Sequence, residues 1–447
     1  MKNKREILLR LAAKHFFRKV RSRLKRRLSN GGKISKTKRR KYHISSKIRY
    51  ADIKASKQGR LERFGIKIPK SFCFIKDPIG TNKFFERLRK EFQKRKPRDI
   101  FIDHDSTEEI GLAASFLFDQ IVKEEIEYWK THKIRIRLAG VVSKSKQVNN
   151  FLLSFGILNE LGISHKNFGH EQVDADYAEK YYTFNMKGSK IKRELSALAS
   201  VGIVNYFNTC LEYNGFKITD TARLSLVERM GEIICNAEEH CGNDKGEWFT
   251  LGCYNKEMHN CSFAIINYGK TIYENLSDEE STASHVIEDI QKIIDSHRPF
   301  WQKLHGLILS KEHEEPTWNI MALQDGISSK RTETGRGFSR GQGIMDVLTF
   351  IEAIKAGNKG AEISLLSGHS AVKIDYSYPI IRKEVGPTKE TRRFITFNKE
   401  NDLKMPPDSN KVIFLDKKFQ GAIFTGSFIL DKKYLEERLK QKDGKGN

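Results

Sequence analysis

The sequence predicts an α/β protein in two folded parts behind a basic, partly helical tail. Three observations predict it. Strand-like and helix-like periods alternate over residues 97–165. A longer alternation, punctuated by Gly-rich turns, runs over 219–432. And +21 of the net charge of +25 falls in residues 1–60, where 23 Lys/Arg meet only Glu6 and Asp52. A chain of 447 residues has room for two or three domains. The boundaries fall as a tail, 1–60; a connector, 61–96; a small α/β domain, 97–165; a connector, 166–218, with a helix in 186–209; a larger domain, 219–432; and a charged C-terminal tail, 433–447.

No run approaches the ~18 apolar residues a membrane helix needs. No apolar signal region follows the basic start, although an Arg-rich, acid-poor start is also what a mitochondrial presequence has. Six cysteines in a chain of this length are no disulfide framework. A cytoplasmic protein without a transmembrane segment is expected, and its oligomeric state is left open.

In the tail, Ile7, Leu8, Leu11, Phe16, Val20 and Leu24 recur at helical spacing, with Lys/Arg between them, until Ser29-Asn30-Gly31-Gly32 stops the helix. Arg21, Arg23, Lys25, Arg26 and Arg27, then Lys38, Arg39, Arg40 and Lys41, are the candidate contacts to nucleic-acid phosphates. An anionic membrane surface and a merely solvated tail are the rival readings.

In the small domain, Asp99–Asp103 reads as a strand, Glu108–Glu127 as a helix, Ile134–Leu138 as a strand, and Val148–Leu161 as a helix ended by Gly162. Phe101-Ile-Asp103, Ile110-Gly-Leu-Ala113, Leu138-Ala-Gly-Val141 and Leu152-Leu-Ser-Phe-Gly-Ile157 together resemble a STAS domain. The family's phospho-acceptor position, just before the Gly-Leu, holds no hydroxyl here; Ser106 and Thr107 lie upstream, where a helix cap is the expected role. The resemblance implies a module that binds a partner protein or regulates the rest of the chain.

In the larger domain, Leu224–His240 reads as a helix with Glu232, Asn236 and His240 on one face and Leu226, Val227, Met230, Ile233, Ile234 and Ala237 on the other. A carboxylate, an amide and an imidazole aligned opposite an apolar face suit a polar ligand. Phe263–Ile272 runs as an apolar strand through Asn267 into a turn at Gly269. Ala322–Gly343 is rich in Gly, Ser, Thr, Lys and Arg and opens a helix, 344–356, the arrangement that lets backbone N–H groups approach a phosphate. The strands Ala361–His369, Val372–Asp375 and Gly421–Leu430 follow. Cys235, His240, Cys241, Cys253, His259 and Cys261 have spacings that fit no common zinc site, and Cys235 and Cys253 fall on expected buried faces.

In this order, these segments resemble the GHKL ATPases, the family of gyrase, the heat-shock chaperones and the sensor histidine kinases. The resemblance implies an α/β sandwich with a mixed sheet and helices on one face. It implies ATP and Mg²⁺ as ligands, Asn236 holding the metal, and Glu232 orienting or deprotonating the attacking water. His240 completes the first motif. Asn267 stands where the family has an Asp that accepts from the adenine amino group, but an Asn also donates, so the base is left open between adenine and guanine; Gly269 follows, and Thr271 replaces the family's second Gly. Ser328, Ser329 and Lys330 match the lid, and Arg340, Gly341 and Gly343 match the second glycine motif. Lys330, Arg336 and Arg340 are equal candidates for neutralising the terminal phosphate. The expected function is a slow Mg-ATPase that switches conformation in a bacterial regulatory or anti-phage module, with nucleic-acid contact through the tail. A serine/threonine kinase of the anti-sigma factor type and a non-hydrolysing nucleotide-binding scaffold are the alternatives.

Overall fold

A computed structural model describes residues 61–443 apart from 95, 133–135, 157, 159–170, 191–193, 243–245, 281, 307–308, 328–342, 358–359 and 386–389. The basic tail with its candidate contacts Arg21 to Arg27 and Lys38 to Lys41 lies outside the described residues, as do Ser328, Ser329, Lys330, Arg336, Arg340 and Gly341.

The chain is mixed α/β, and its two sheets differ in kind. The first is parallel: β1 (Leu61–Lys67), β3 (Lys96–Asp103) and β5 (Arg137–Val141) lie in the order β1-β3-β5. Parallel neighbours need crossovers, supplied by α1 (Pro78–Lys94) and α2 (Leu112–Thr131). Two short strands, β2 (Ser71–Phe72) and β4 (Glu109–Ile110), pair ahead of α2. So β1 and α1, which sequence patterning leaves in a connector, are integral to the first sheet unit. The expected helix at 108–127 runs instead from Leu112, and Gly111 caps it without a side chain. Gly is required there, because a Cβ would sit 2.7 Å from Cys73 Sγ. Thr107 is no cap: it is 1% exposed, and its carbonyl accepts from Ser143 Oγ. Helix α3 (Lys146–Ser154), capped by Ser145, ends well before Gly162.

The second sheet has the order β6-β7-β8-β12-β9 and every pairing in it is antiparallel, not mixed. Its strands are β6 (Tyr181–Ser189), β7 (Glu247–Asn255), β8 (Asn260–Asn267), β9 (Ala361–Ile374) and β12 (Val412–Ile429). A hairpin of β10 (Ile381–Val385) and β11 (Glu390–Phe394) stands between β9 and β12 in the chain. Strand β9 is one strand where the sequence reads two, passing through Gly368 at φ +60°. The connector 166–218 likewise disappears into the fold: β6 is an edge strand, and the helix expected at 186–209 is Glu194–Glu212. The charged tail begins as a helix, Lys432–Asp443, whose Arg438 Nη1 donates to the carbonyls of Glu352 and Ala353, 2.9 Å each.

Both faces of this sheet are buried, which corrects the expectation of helices on one side. Trp248, Phe263, Ile265, Leu365 and Phe424 pack against the helices Glu194–Glu212, Asp220–Glu239 and Gly343–Ile354 through Tyr206, Phe207, Met230, Ile234, Leu348 and Ile351. The alternate residues, Phe249, Leu251, Ala264, Ile266, Leu366 and Ile423, share a second core with Phe72, Phe116, Leu117 and Ile121 of the first unit. Phe116 and Phe249 meet edge to face, centroids 4.9 Å apart, a geometry worth roughly 0.5–1.5 kcal/mol beyond area burial. A strand buried on both faces reads as a continuous apolar run, and Phe263-Ala-Ile-Ile is such a run. Among the described residues no helix is long and apolar enough to cross a membrane.

Candidate nucleotide-binding cleft

For the site, the helices are numbered on from α3: α4 (Tyr177–Lys180), α5 (Glu194–Glu212), α6 (Asp220–Glu239), α7 (Ile272–Leu276), α8 (Ser284–His305), α9 (Glu315–Leu323) and α10 (Gly343–Ile354).

Helix α6 begins at Thr219, whose hydroxyl accepts from the Ala222 N–H, as an N-cap should. Leu226, Met230, Ile233, Ile234 and Ala237 are buried against the sheet. That fixes the rotation of the helix and turns Glu232, Asn236 and His240 toward a cleft on the same side of the sheet. Cys235 is exposed, not buried as expected, whereas Cys253 is buried. Among the described residues no group of three or more His, Cys, Asp or Glu is placed to hold a metal ion.

The turn after β8 clamps the end of α6. A Cβ on Gly269 would lie 1.9 Å from the His240 carbonyl oxygen and 2.4 Å from Gly242 N, so only glycine fits. The Lys270 N–H donates to the His240 carbonyl, 3.1 Å. Thr271, which replaces a glycine of the resembled motif, starts α7: its hydroxyl accepts from the Glu274 N–H, and the Glu274 carboxylate accepts from the Thr271 N–H. This capping box turns the chain along the cleft. Lys418 holds the Glu274 carboxylate below its usual range, against the opposing effect of burial.

With its open mouth counted, the cleft holds about 980 Å³ of space. Its floor is apolar and buried: Ile265, Leu365 and Phe424 from the sheet, with Ile233, Ala237 and Leu276 from helices. Its polar lining is Glu232, Asn236, His240, Asn267, Lys270, Thr271 and Asn275, with Gly343 opening α10. Gly343 sits where a Cβ would come 3.0 Å from Glu232 Oε2, so the N-terminus of α10 lies against that carboxylate. Thus Glu232, Asn236, His240, Asn267 and Gly343 line one cleft and Gly269 forms its supporting turn.

Asn267 is 4% exposed and its orientation is fixed. Its Oδ1 accepts from the Ala422 N–H at 2.8 Å. That N–H is diverted because the β12 register shifts between Phe419 and Ala422, with Gly421 at φ +103° and too close to the Asn267 carbonyl for any Cβ.

Four charged residues that patterning misses tie the cleft together. Asp325, 3% exposed, accepts from Arg393 Nε at 2.8 Å and Nη2 at 3.0 Å. Arg393 also pairs with Asp346 in the first turn of α10, and Asp346 pairs with Arg229 Nε of α6, 2.7 Å. Burial opposes the Arg393 charge, but the two carboxylates hold its pKa above the ordinary arginine value. The segments entering and leaving 328–342 are therefore cross-linked by one guanidinium. Asp325-Gly326 is visible in the sequence as a turn, but its partner is 68 residues away.

The chain matches no protein-family model, no curated protein and no solved structure.

Proposed function

We propose that the cleft binds a magnesium-bound nucleoside triphosphate and hydrolyses it slowly, as a conformational switch. One observation carries the reading. Segments of α6, the β8–α7 turn and the start of α10, far apart in the chain, line one cleft with an apolar buried floor and a polar, accessible side. They are the segments whose order resembles the GHKL ATPases, and that resemblance supplies ATP as the expected nucleotide.

The base lies on the apolar floor, and the phosphates extend toward Glu232, Asn236 and the N-terminus of α10. Backbone N–H groups at a helix start suit an anion, and Gly343 removes the side chain that would block approach. The donor set suits Mg²⁺: Asn236 is accessible and offers a neutral oxygen, and phosphate oxygens supply further ligands. Asn236 would hold the ion, whose charge would offset that of the phosphates. Glu232 orients a water and accepts its proton as the water's oxygen bonds to the γ-phosphorus and the bond to the leaving diphosphate breaks. The same resemblance assigns Ser328, Ser329 and Lys330 to the family's lid, and Arg340 and Gly341 to its second glycine motif. The α2 side of the sheet then gives the nucleotide state a route to a partner protein on the first sheet unit, and the basic tail brings nucleic acid.

The test is phosphate release from ATP and GTP by the full chain, with and without DNA or RNA. Slow Mg-dependent release supports the reading. Phosphate transferred to a partner protein favours the kinase alternative, and tight binding without turnover favours the scaffold.

A further inference from the structure

Resting on the nucleotide-binding reading, we infer that the cleft selects a 6-oxopurine, guanine or hypoxanthine, over adenine. The cleft has one buried apolar floor, formed by Ile265, Leu365 and Phe424, and a flat heterocycle fits there better than a triphosphate does. Two polar side chains of the lining are more than nine-tenths buried, Asn267 and Thr271. The Thr271 hydroxyl is engaged in the capping box of α7. Asn267 is therefore the buried side chain left to read the base edge.

What it presents is fixed by chemistry. An amide has one acceptor oxygen and two N–H donors. The oxygen faces the Ala422 N–H, a group that can only donate. Flipping the amide would set N–H against N–H and strip the backbone donor of its partner. The Nδ2 group is thus the one turned to the ligand, and it needs an acceptor. The O6 carbonyl of guanine or hypoxanthine is one. At the position of that carbonyl adenine carries an amino group, a donor, and meeting it would leave two buried donors opposed; adenine's acceptors, N1 and N7, reach Nδ2 only in a different placement of the ring.

The experiment is equilibrium binding of GTP, ITP and ATP, each with Mg²⁺, to the full chain and to Asn267→Asp. The parent chain should bind GTP and ITP at least tenfold more tightly than ATP. In Asn267→Asp one carboxylate oxygen still accepts from Ala422 and the other accepts from the ligand, so the preference should reverse by tenfold or more. A parent chain that binds ATP as tightly as GTP and ITP overturns the base assignment and leaves the nucleotide cleft standing. So does a variant that unfolds at the parent's denaturant midpoint and keeps the parent's preference. Failure of all three nucleotides to bind overturns both readings.

Discussion

The parallel and antiparallel sheets solve the same packing problem with opposite use of polar groups. The parallel unit joins β1, β3 and β5 through the crossover helices α1 and α2, and α2 is buried along much of its length in a core shared with the neighbouring sheet. Its join to the antiparallel sheet is built of rings and aliphatic chains: Phe116 on Phe249, and Phe74 on Phe419 with centroids 6.2 Å apart. The antiparallel sheet spends the same period-two pattern differently. One face receives that apolar join; the other receives helices that stop short of filling it, and α6 turns Glu232, Asn236 and His240 toward the gap that Asn267 lines from the end of β8. The comparison teaches where to look for function. Stability resides where side chains interdigitate fully, and ligand chemistry where the packing opens around buried polar groups.

The largest expected effect breaks the join. Phe116→Ala removes a ring buried between the two sheets and should cost about 3–5 kcal/mol, read as a lower denaturant midpoint in a single cooperative transition. Two separate transitions in the parent chain would show that the sheets fold independently.

Next in size is a pH effect confined to the parallel unit. Burial lowers the pKa of His104 to about 4, with Asp103 opposing. The unfolded chain therefore binds a proton near pH 6.5 that the folded chain refuses until about pH 4. Stability is fully present above 6.5 and falls as the pH drops toward 4, by roughly 3 kcal/mol in all. His104→Gln should flatten that part of the stability–pH curve; an unchanged slope would remove His104 as its source.

On the cleft side, Glu232→Gln should retain nucleotide binding and release phosphate ~100-fold more slowly. Undiminished release would exclude Glu232 as the base. Asn236→Ala should bind nucleotide equally with and without Mg²⁺, while the parent chain binds more tightly with it. Removing residues 1–60 should have the least effect on the cleft, leaving nucleotide affinity unchanged while steeply salt-dependent binding to DNA and RNA is lost. Retained nucleic-acid binding would place that contact on the folded units.

The parts of this account that were legible in the sequence are those governed by local periods. The spacing of Glu232, Asn236 and His240 puts them on one helical face whatever the fold. The charge of the tail is read by counting. Gly269 announces a turn, though the reason for it, the His240 carbonyl, is 29 positions upstream. Strand direction was not legible, because pairing depends on partners as distant as β8 and β12. The apolar run Phe263–Ile266 reads only as a strand in a sheet with helices on one face; what buries the second face is Phe116 and its neighbours, which only the folded chain brings there. The orientation of Asn267 and the link from Asp325 through Arg393 to Asp346 were out of reach, since each joins residues that only the folded chain brings together.

The central claim is that α6, the β8–α7 turn and the start of α10 form one nucleotide site, and amide hydrogen exchange on the full chain tests it most directly. Adding Mg²⁺ with GTP or ATP should slow exchange together in 232–240, 267–276 and 343–348. It should leave β1 and α1 unchanged. Exchange that is identical with and without saturating concentrations of either nucleotide, or protection confined to some other part of the chain, would contradict it.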